Sequence, residues 1–174
     1  MKYCKNNCLN RNIKKRRVYH GGDHIYKTWI KPKLTYEYLR NMVELIEKVD
    51  PSYVLDYGIN NGKSWAKFRI VEGEHRYNPF KWNEESVRNV INFITNHYKT
   101  FHPIYHGDPS LGNILVSDDT FHFIDYDDIC VNENINQVFK LIQDKCLEAF
   151  SMGAFAGKYN NLIKSVIKEN KKLI

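Results

Sequence analysis

The residues best suited to chemistry lie in one stretch, His106-Gly-Asp108-Pro-Ser-Leu-Gly-Asn113-Ile-Leu-Val116, followed by Phe123-Ile-Asp125-Tyr-Asp127-Asp128. This pattern sets a carboxylate and a carboxamide five residues apart on one loop and returns a second carboxylate at the end of the next apolar run. Three hard oxygen groups can then converge. Magnesium takes oxygen ligands and keeps several waters, so an Asn, one Asp and substrate phosphates make a metal site. The remaining Asp is free to accept a hydroxyl proton. Read one at a time, Asp108 and Asn113 are turn or cap residues and Asp125 ends a strand. Their joint spacing between apolar runs is what favours the catalytic reading.

The elements that must hold these residues follow from periodicity. Ile114-Leu-Val116 and Phe121 to Ile124 are short apolar strands about the polar turn Ser117-Asp-Asp-Thr120. Upstream, Asn83 with Ser86 opens a helix whose Val87, Val90, Ile91, Ile94 and Tyr98 form one apolar stripe. Two more helices are expected over roughly Asn134 to Phe150 and Ala154 to Lys171. In the first half, Val18 to Ile30 reads as a glycine turn at Gly21-Gly22 leading into a strand, with the strand before the turn poorly marked. After Pro32, Thr35 precedes a helix with Leu39, Met42, Val43, Ile46 and Val49 at spacings of three and four, closed by Asp50-Pro51. Tyr53 to Tyr57 and Trp65 to Val71 then form strands about the hairpin signal Asn61-Gly62. Gly58 to Ser64 also resembles a phosphate-binding P-loop. Its glycines enclose three residues rather than four and it leads into a strand, so the hairpin is preferred.

In order, spacing and flanking residues, the central stretch resembles the H-G-D-x-x-x-x-N loop and later I-D motif of aminoglycoside phosphotransferases and choline kinases, relatives of protein kinases. The resemblance implies an α+β, two-lobed protein kinase-like fold. Its N-lobe, residues 1–73 with a basic segment over 1–17, would hold a small antiparallel sheet and one helix; its C-lobe, 74–174, would be mainly helical and carry the catalytic hairpin. It implies Asp108 as catalytic base, His106 as organiser of that loop, and Asn113 and Asp125 as magnesium ligands, with ATP and Mg2+ as cofactors. Gly107, where protein kinases usually carry Arg, favours the small-molecule branch.

A strand lysine on the nucleotide's phosphates, fixed by a helix glutamate, is also implied. Lys27 and Glu44 fill those places, with Glu37 and Glu47 as competitors for the pairing. Gly21 and Gly22 would bring backbone amides to phosphate, and the segment Ile70 to Gly73, including Glu72 and Gly73, would offer hinge groups to adenine. On their own residue types, Lys27 reads as an exposed strand lysine and the glycines as plain turns. The implied reaction is ATP-dependent transfer of a γ-phosphate to a hydroxyl of a small molecule or sugar. Little follows Asp128 beyond two helices, so an exposed active site, completed by a second subunit in a homo-oligomer or by a large acceptor, is one physical consequence. The competing classes are a protein kinase, which the lack of an Ala-Pro-Glu segment disfavours, a pseudokinase regulator that binds nucleotide, and a nucleic-acid-binding module.

Bulk properties bound these readings. The 174 residues, 43% hydrophobic with twelve Tyr and nine Phe, suffice for one packed core. The 26 Lys plus Arg against 20 Asp plus Glu give a net charge of +6, which suits a polyanion such as nucleotide phosphate. Much of the excess sits between Lys5 and Arg17, and such a run usually forms a solvated face, which disfavours nucleic acid as a partner. There is neither an apolar run long enough to span a membrane nor a signal-peptide core, so a cytoplasmic location is expected. Cys4, Cys8, Cys130 and Cys146 form no dense framework and are expected as thiols. Cys4, Cys8, His20 and His24 have nearly the spacing of a zinc finger, but Gly21-Gly22 lies where the ligand-bearing helix would run.

Overall fold

The computed structural model describes residues 16–29, 36–74, 82–117, 120–151 and 157–172. They form an α+β fold in which the chain divides into two compact units, Met1–Val71 and Glu72–Ile174.

The first unit is built on β1 (Arg16–Gly21), β2 (His24–Trp29), α1 (Tyr36–Val49), β3 (Val54–Asn60) and β4 (Lys63–Arg69). The strands make one antiparallel sheet in the order β1-β2-β4-β3. Side chains alternate across a strand, and one face takes the buried set: Lys27 and Trp29 from β2, and Ser64, Ala66 and Phe68 from β4. The five stripe residues of α1 are all buried, and the helix packs against β3. The poorly marked strand before Gly21 is a full strand. Its six residues pair with β2, so ladder bonds supply what composition does not.

Both hairpins turn through two residues. Asn60 pairs with Lys63, leaving Asn61 at φ 49° and Gly62 at φ 71°, the left-handed pair of a type I′ turn. The Gly58–Ser64 segment is therefore strand, turn and strand, and Gly58 accommodates the Trp65 ring, 3.2 Å from where a Cβ would stand. The ladder reaches further toward the turn than the sequence suggests, and β4 ends at Arg69 rather than Val71.

The second unit contains α2 (Glu84–Phe101), α3 (Ile135–Ala149) and α4 (Asn160–Lys171), with short strands β5 (Ile104–Tyr105), β6 (Ile114–Ser117), β7 (Thr120–Phe123) and β8 (Cys130–Val131). Asn83 caps α2 by accepting from the Ser86 amide at 2.8 Å, and Asn134 caps α3 by accepting from the Gln137 amide at 3.0 Å. The last helix starts later than its sequence pattern suggests: Gly157 is left-handed at φ 77° and heads a turn, so the helix begins at Asn160, while Ala154 lies outside the described residues. Ile163, Val166 and Ile167 of α4 are buried where it packs on α2 and α3. Asn170, also buried, donates to Asn92 Oδ1 at 2.8 Å and accepts from Lys99 at 3.0 Å. Among the described residues no helix is long and apolar enough to cross a membrane. Cys130 and Cys146 are buried and form no disulfide, while Cys4 and Cys8 lie outside the described residues.

Candidate active site

Two antiparallel ladders build the site, and each joins the same two loops. One loop leaves β5 and enters β6, carrying His106, Asp108 and Asn113; the other leaves β7 and enters β8, carrying Asp125, Asp127 and Asp128. Because β6 pairs with β7 and β5 pairs with β8, the loops are tied to one another at both ends. The β6–β7 register runs on past the strands, with the Ile124 amide donating to the Asn113 carbonyl at 2.9 Å. Asn113 thus stands opposite the residue just before Asp125.

Side chains finish what the ladders begin. Asn113 Nδ2 donates to the Asp108 carbonyl at 3.0 Å and lies 3.3 Å from Asp108 Oδ2. The carboxamide spans its own loop and leaves its oxygen for another partner. His106 is 2% exposed, stacked on Phe123 at 4.4 Å and tilted against Tyr126 at 4.7 Å. Its Nε2 lies 3.0 Å from the Ile124 carbonyl, which can only accept, so this nitrogen carries the proton. Burial pushes the imidazole down to about 4, outweighing the opposite pull of the Asp108 and Asp125 carboxylates. The ring is neutral near pH 7, and both carboxylates act on it electrostatically.

Two backbone positions are unusual. Asp125 is left-handed at φ 61°, ψ 57°, a conformation that costs a residue with a Cβ about 1–2 kcal/mol and clusters at functional sites. Gly107 has φ 86°, and a Cβ there would collide with the Asp128 carbonyl. Glycine is required here because the second loop's backbone occupies the space, a closer reason than the choice between kinase branches.

Lys145 is part of the site, although the sequence patterns give no hint of it. Its Nζ stands 3.2 Å from Asp108 Oδ1 and 3.8 Å from Glu148 on its own helix. Val138, Ile142 and Cys146 bury one face of α3, and Lys145 lies three residues beyond Ile142 at the edge of that face. Nothing in a stripe of this kind indicates which loop its flanking lysine meets.

In the first unit, Lys27 is 6% exposed on β2, with its ammonium 5.1 Å from the Phe68 ring centre. The alternative reading from residue type alone, an exposed strand lysine, does not hold: Lys27 is buried. Glu37, Glu44 and Glu47 occupy exposed positions on α1, and Glu44 is 3.5 Å from Arg40. Gly21 ends β1 and Gly22, at φ 23°, opens the two-residue turn of the first hairpin. His20 and His24 lie on the two strands of that hairpin, not on a helix, and His24 bonds to Asp23 at 2.5 Å. At the start of the second unit Glu72 is exposed, and Gly73 has φ 152° with Val116 O 3.0 Å from where its Cβ would stand. Glu74 then exchanges two 3.0 Å backbone bonds with Val116.

Asn113 and Asp125 are hard oxygen donors of the kind that magnesium takes together with phosphate and water, and the backbone bond from the Ile124 amide sets Asn113 opposite the residue before Asp125. Among the described residues no group of three or more His, Cys, Asp or Glu forms a metal cluster. An Asn–Asp pair completed by phosphate does not need one.

No protein-family model and no curated protein matches the chain. Solved structures of WbdD, a bifunctional kinase-methyltransferase, do. WbdD bound to the kinase inhibitor LY294002 superposes with a TM-score of 0.58 at 14% identity, over 91% of this chain and 44% of that one. A 2.2 Å crystal structure of WbdD gives 0.55 at 15% identity, over 92% and 44%. The chain spans less than half the length of WbdD, and at this identity the likeness is one of fold, to a protein with kinase activity.

Proposed function

We propose that this protein is an ATP- and magnesium-dependent phosphotransferase acting on a hydroxyl of a small molecule or sugar. One observation carries the reading: a carboxylate, a carboxamide and a left-handed aspartate from two loops are drawn together by ladders at both ends. Asp108 is the group assigned to accept the acceptor's proton, and the Asn113 bond to Oδ2 orients it. His106 takes no part in proton transfer. As a buried neutral donor to the Ile124 carbonyl, it holds the base loop against the residue preceding Asp125.

Asn113 and Asp125 are the residues that would hold magnesium, which when bound offsets the charge of the nucleotide phosphates. In the first unit, Lys27 is the cation assigned to nucleotide phosphate, with Glu44 its proposed partner and Gly21, Gly22, Glu72 and Gly73 as backbone contacts. These assignments rest on the family resemblance. Phosphoryl transfer asks mainly for positioning and charge stabilisation, which a site of fixed side chains supplies.

The test is a screen of hydroxyl-bearing metabolites for magnesium-dependent ADP release, run beside Asp108→Asn. The substitution should cut turnover by at least a hundredfold while ATP still binds. Full turnover in that variant would remove Asp108 from the reaction.

A further inference from the structure

We infer that Lys145 is a further catalytic residue, the cation that stabilises negative charge on the acceptor and the transferring phosphoryl group beside Asp108. This rests on the phosphotransferase reading and names a residue that the reading does not otherwise use.

The geometry is local to the second unit. The two oxygens of Asp108 have different neighbours: Asn113 Nδ2 stands 3.3 Å from Oδ2, and Lys145 Nζ stands 3.2 Å from Oδ1. Oδ1 is buried and makes no hydrogen bond beyond this ion-pair contact, so an acceptor hydroxyl about 2.7 Å from the carboxylate donates to Oδ2 and lies within about 8 Å of Nζ, a gap that the flexible lysine stem can close. Lys145 is suited to respond. Its side chain is 34% exposed, and its flexible stem carries three rotatable donors. The packed face of α3 fixes the helix from which it reaches.

In the transfer step the acceptor oxygen forms a bond to the γ-phosphorus of ATP, and the bond from that phosphorus to the β–γ bridging oxygen breaks. ADP departs with that electron pair, and the acceptor proton passes to Asp108. Lys145 keeps its proton throughout. Its charge faces the phosphoryl oxygens and the acceptor oxygen, where the transition state gathers negative charge. In the free protein the same ammonium rests on Asp108 and, at 3.8 Å, on Glu148.

The probe is magnesium–ATP alone, with water as acceptor, in single-turnover hydrolysis of γ-labelled nucleotide by wild type, Asp108→Asn, Lys145→Met and Lys145→Arg. Lys145→Met should lose about a hundredfold in rate, as removal of one transition-state donor does, with the half-saturating ATP concentration changed less than threefold. Lys145→Arg should recover at least a tenth of the wild-type rate, because charge is the property required. A half-exposed ion pair adds little stability, so the melting temperature of Lys145→Met should stay within a few degrees of wild type. A loss under tenfold in Lys145→Met, while Asp108→Asn is inactive, overturns the role of Lys145 and leaves the phosphotransferase reading standing. So does a Lys145→Arg variant as slow as Lys145→Met. Absence of magnesium-dependent ADP release in wild type, both with water and with every hydroxyl-bearing acceptor of the screen above, removes the phosphotransferase reading, and the role of Lys145 with it.

Discussion

Lowering the pH should destabilise this fold through two imidazoles, the partly buried His97 and the buried His106, which flank the ring of Phe123 at 4.9 and 4.4 Å. Burial is the main cause of the shift in both, lowering each from 6.5 to about 4. The charge of one ring also opposes protonation of the other. A folded-state value below the unfolded one means that the unfolded chain binds the extra protons. The stability is therefore complete above about pH 6.5 and is lost as the pH falls toward 4. At about 1.4 kcal/mol per pH unit, each ring accounts for up to ~3 kcal/mol over the window. A domain of this size has roughly 5–15 kcal/mol in total, so the pair can take a large share of it.

The assay is urea unfolding followed by tryptophan fluorescence between pH 5 and 7.5, a range above most carboxylate titrations. Below pH 6 the free energy of unfolding should fall by about 2–3 kcal/mol per pH unit in wild type, since two protons are taken up on unfolding. His97→Phe should halve that slope. At pH 7 the substitution should cost little, because His97 Nε2 is buried without a hydrogen-bond partner and its ring already packs among Phe93, Phe101 and Phe123. A wild-type slope near zero, or an unchanged slope in His97→Phe, would refute the reasoning.

Two further outcomes follow from the backbone of the site. Gly107→Ala should destabilise by about 3 kcal/mol or more, because left-handed strain adds to a collision with the Asp128 carbonyl; a urea midpoint equal to wild type would contradict this. Asp125→Asn keeps a side chain that tolerates the left-handed conformation but removes the charge, so the fold should persist while magnesium-dependent nucleotide binding weakens tenfold or more by calorimetry. Equal affinity at every magnesium concentration would point to Asp127 or Asp128 as the ligand.

Much of this could be read in the sequence because local rules governed it. The stripe Leu39, Met42, Val43, Ile46 and Val49 marked α1, Asn83 and Asn134 capped their helices as such residues do, and Asn61-Gly62 turned the hairpin it signals. The ladder behind Gly21 was faint because pairing with β2, not composition, makes β1 a strand. Lys145 was beyond reach for a related reason: it meets Asp108 across 37 positions, and that contact is set by how α3 packs, not by any period along the chain. Likewise, the need for glycine at position 107 comes from a carbonyl 21 residues away.

Because the two loops share both of their anchoring ladders, neither can be remodelled alone. One residue removed between Gly107 and Asn113 would shorten the span from the β5–β8 pairing to the β6–β7 pairing, strain both and break the Asn113 side-chain bonds to Asp108 in the same event. Asp108, Asn113 and Asp125 therefore take up or lose their positions in concert. For protein engineering this means that the candidate site is better altered from α3, whose Lys145 meets Asp108, than from the loops that make it.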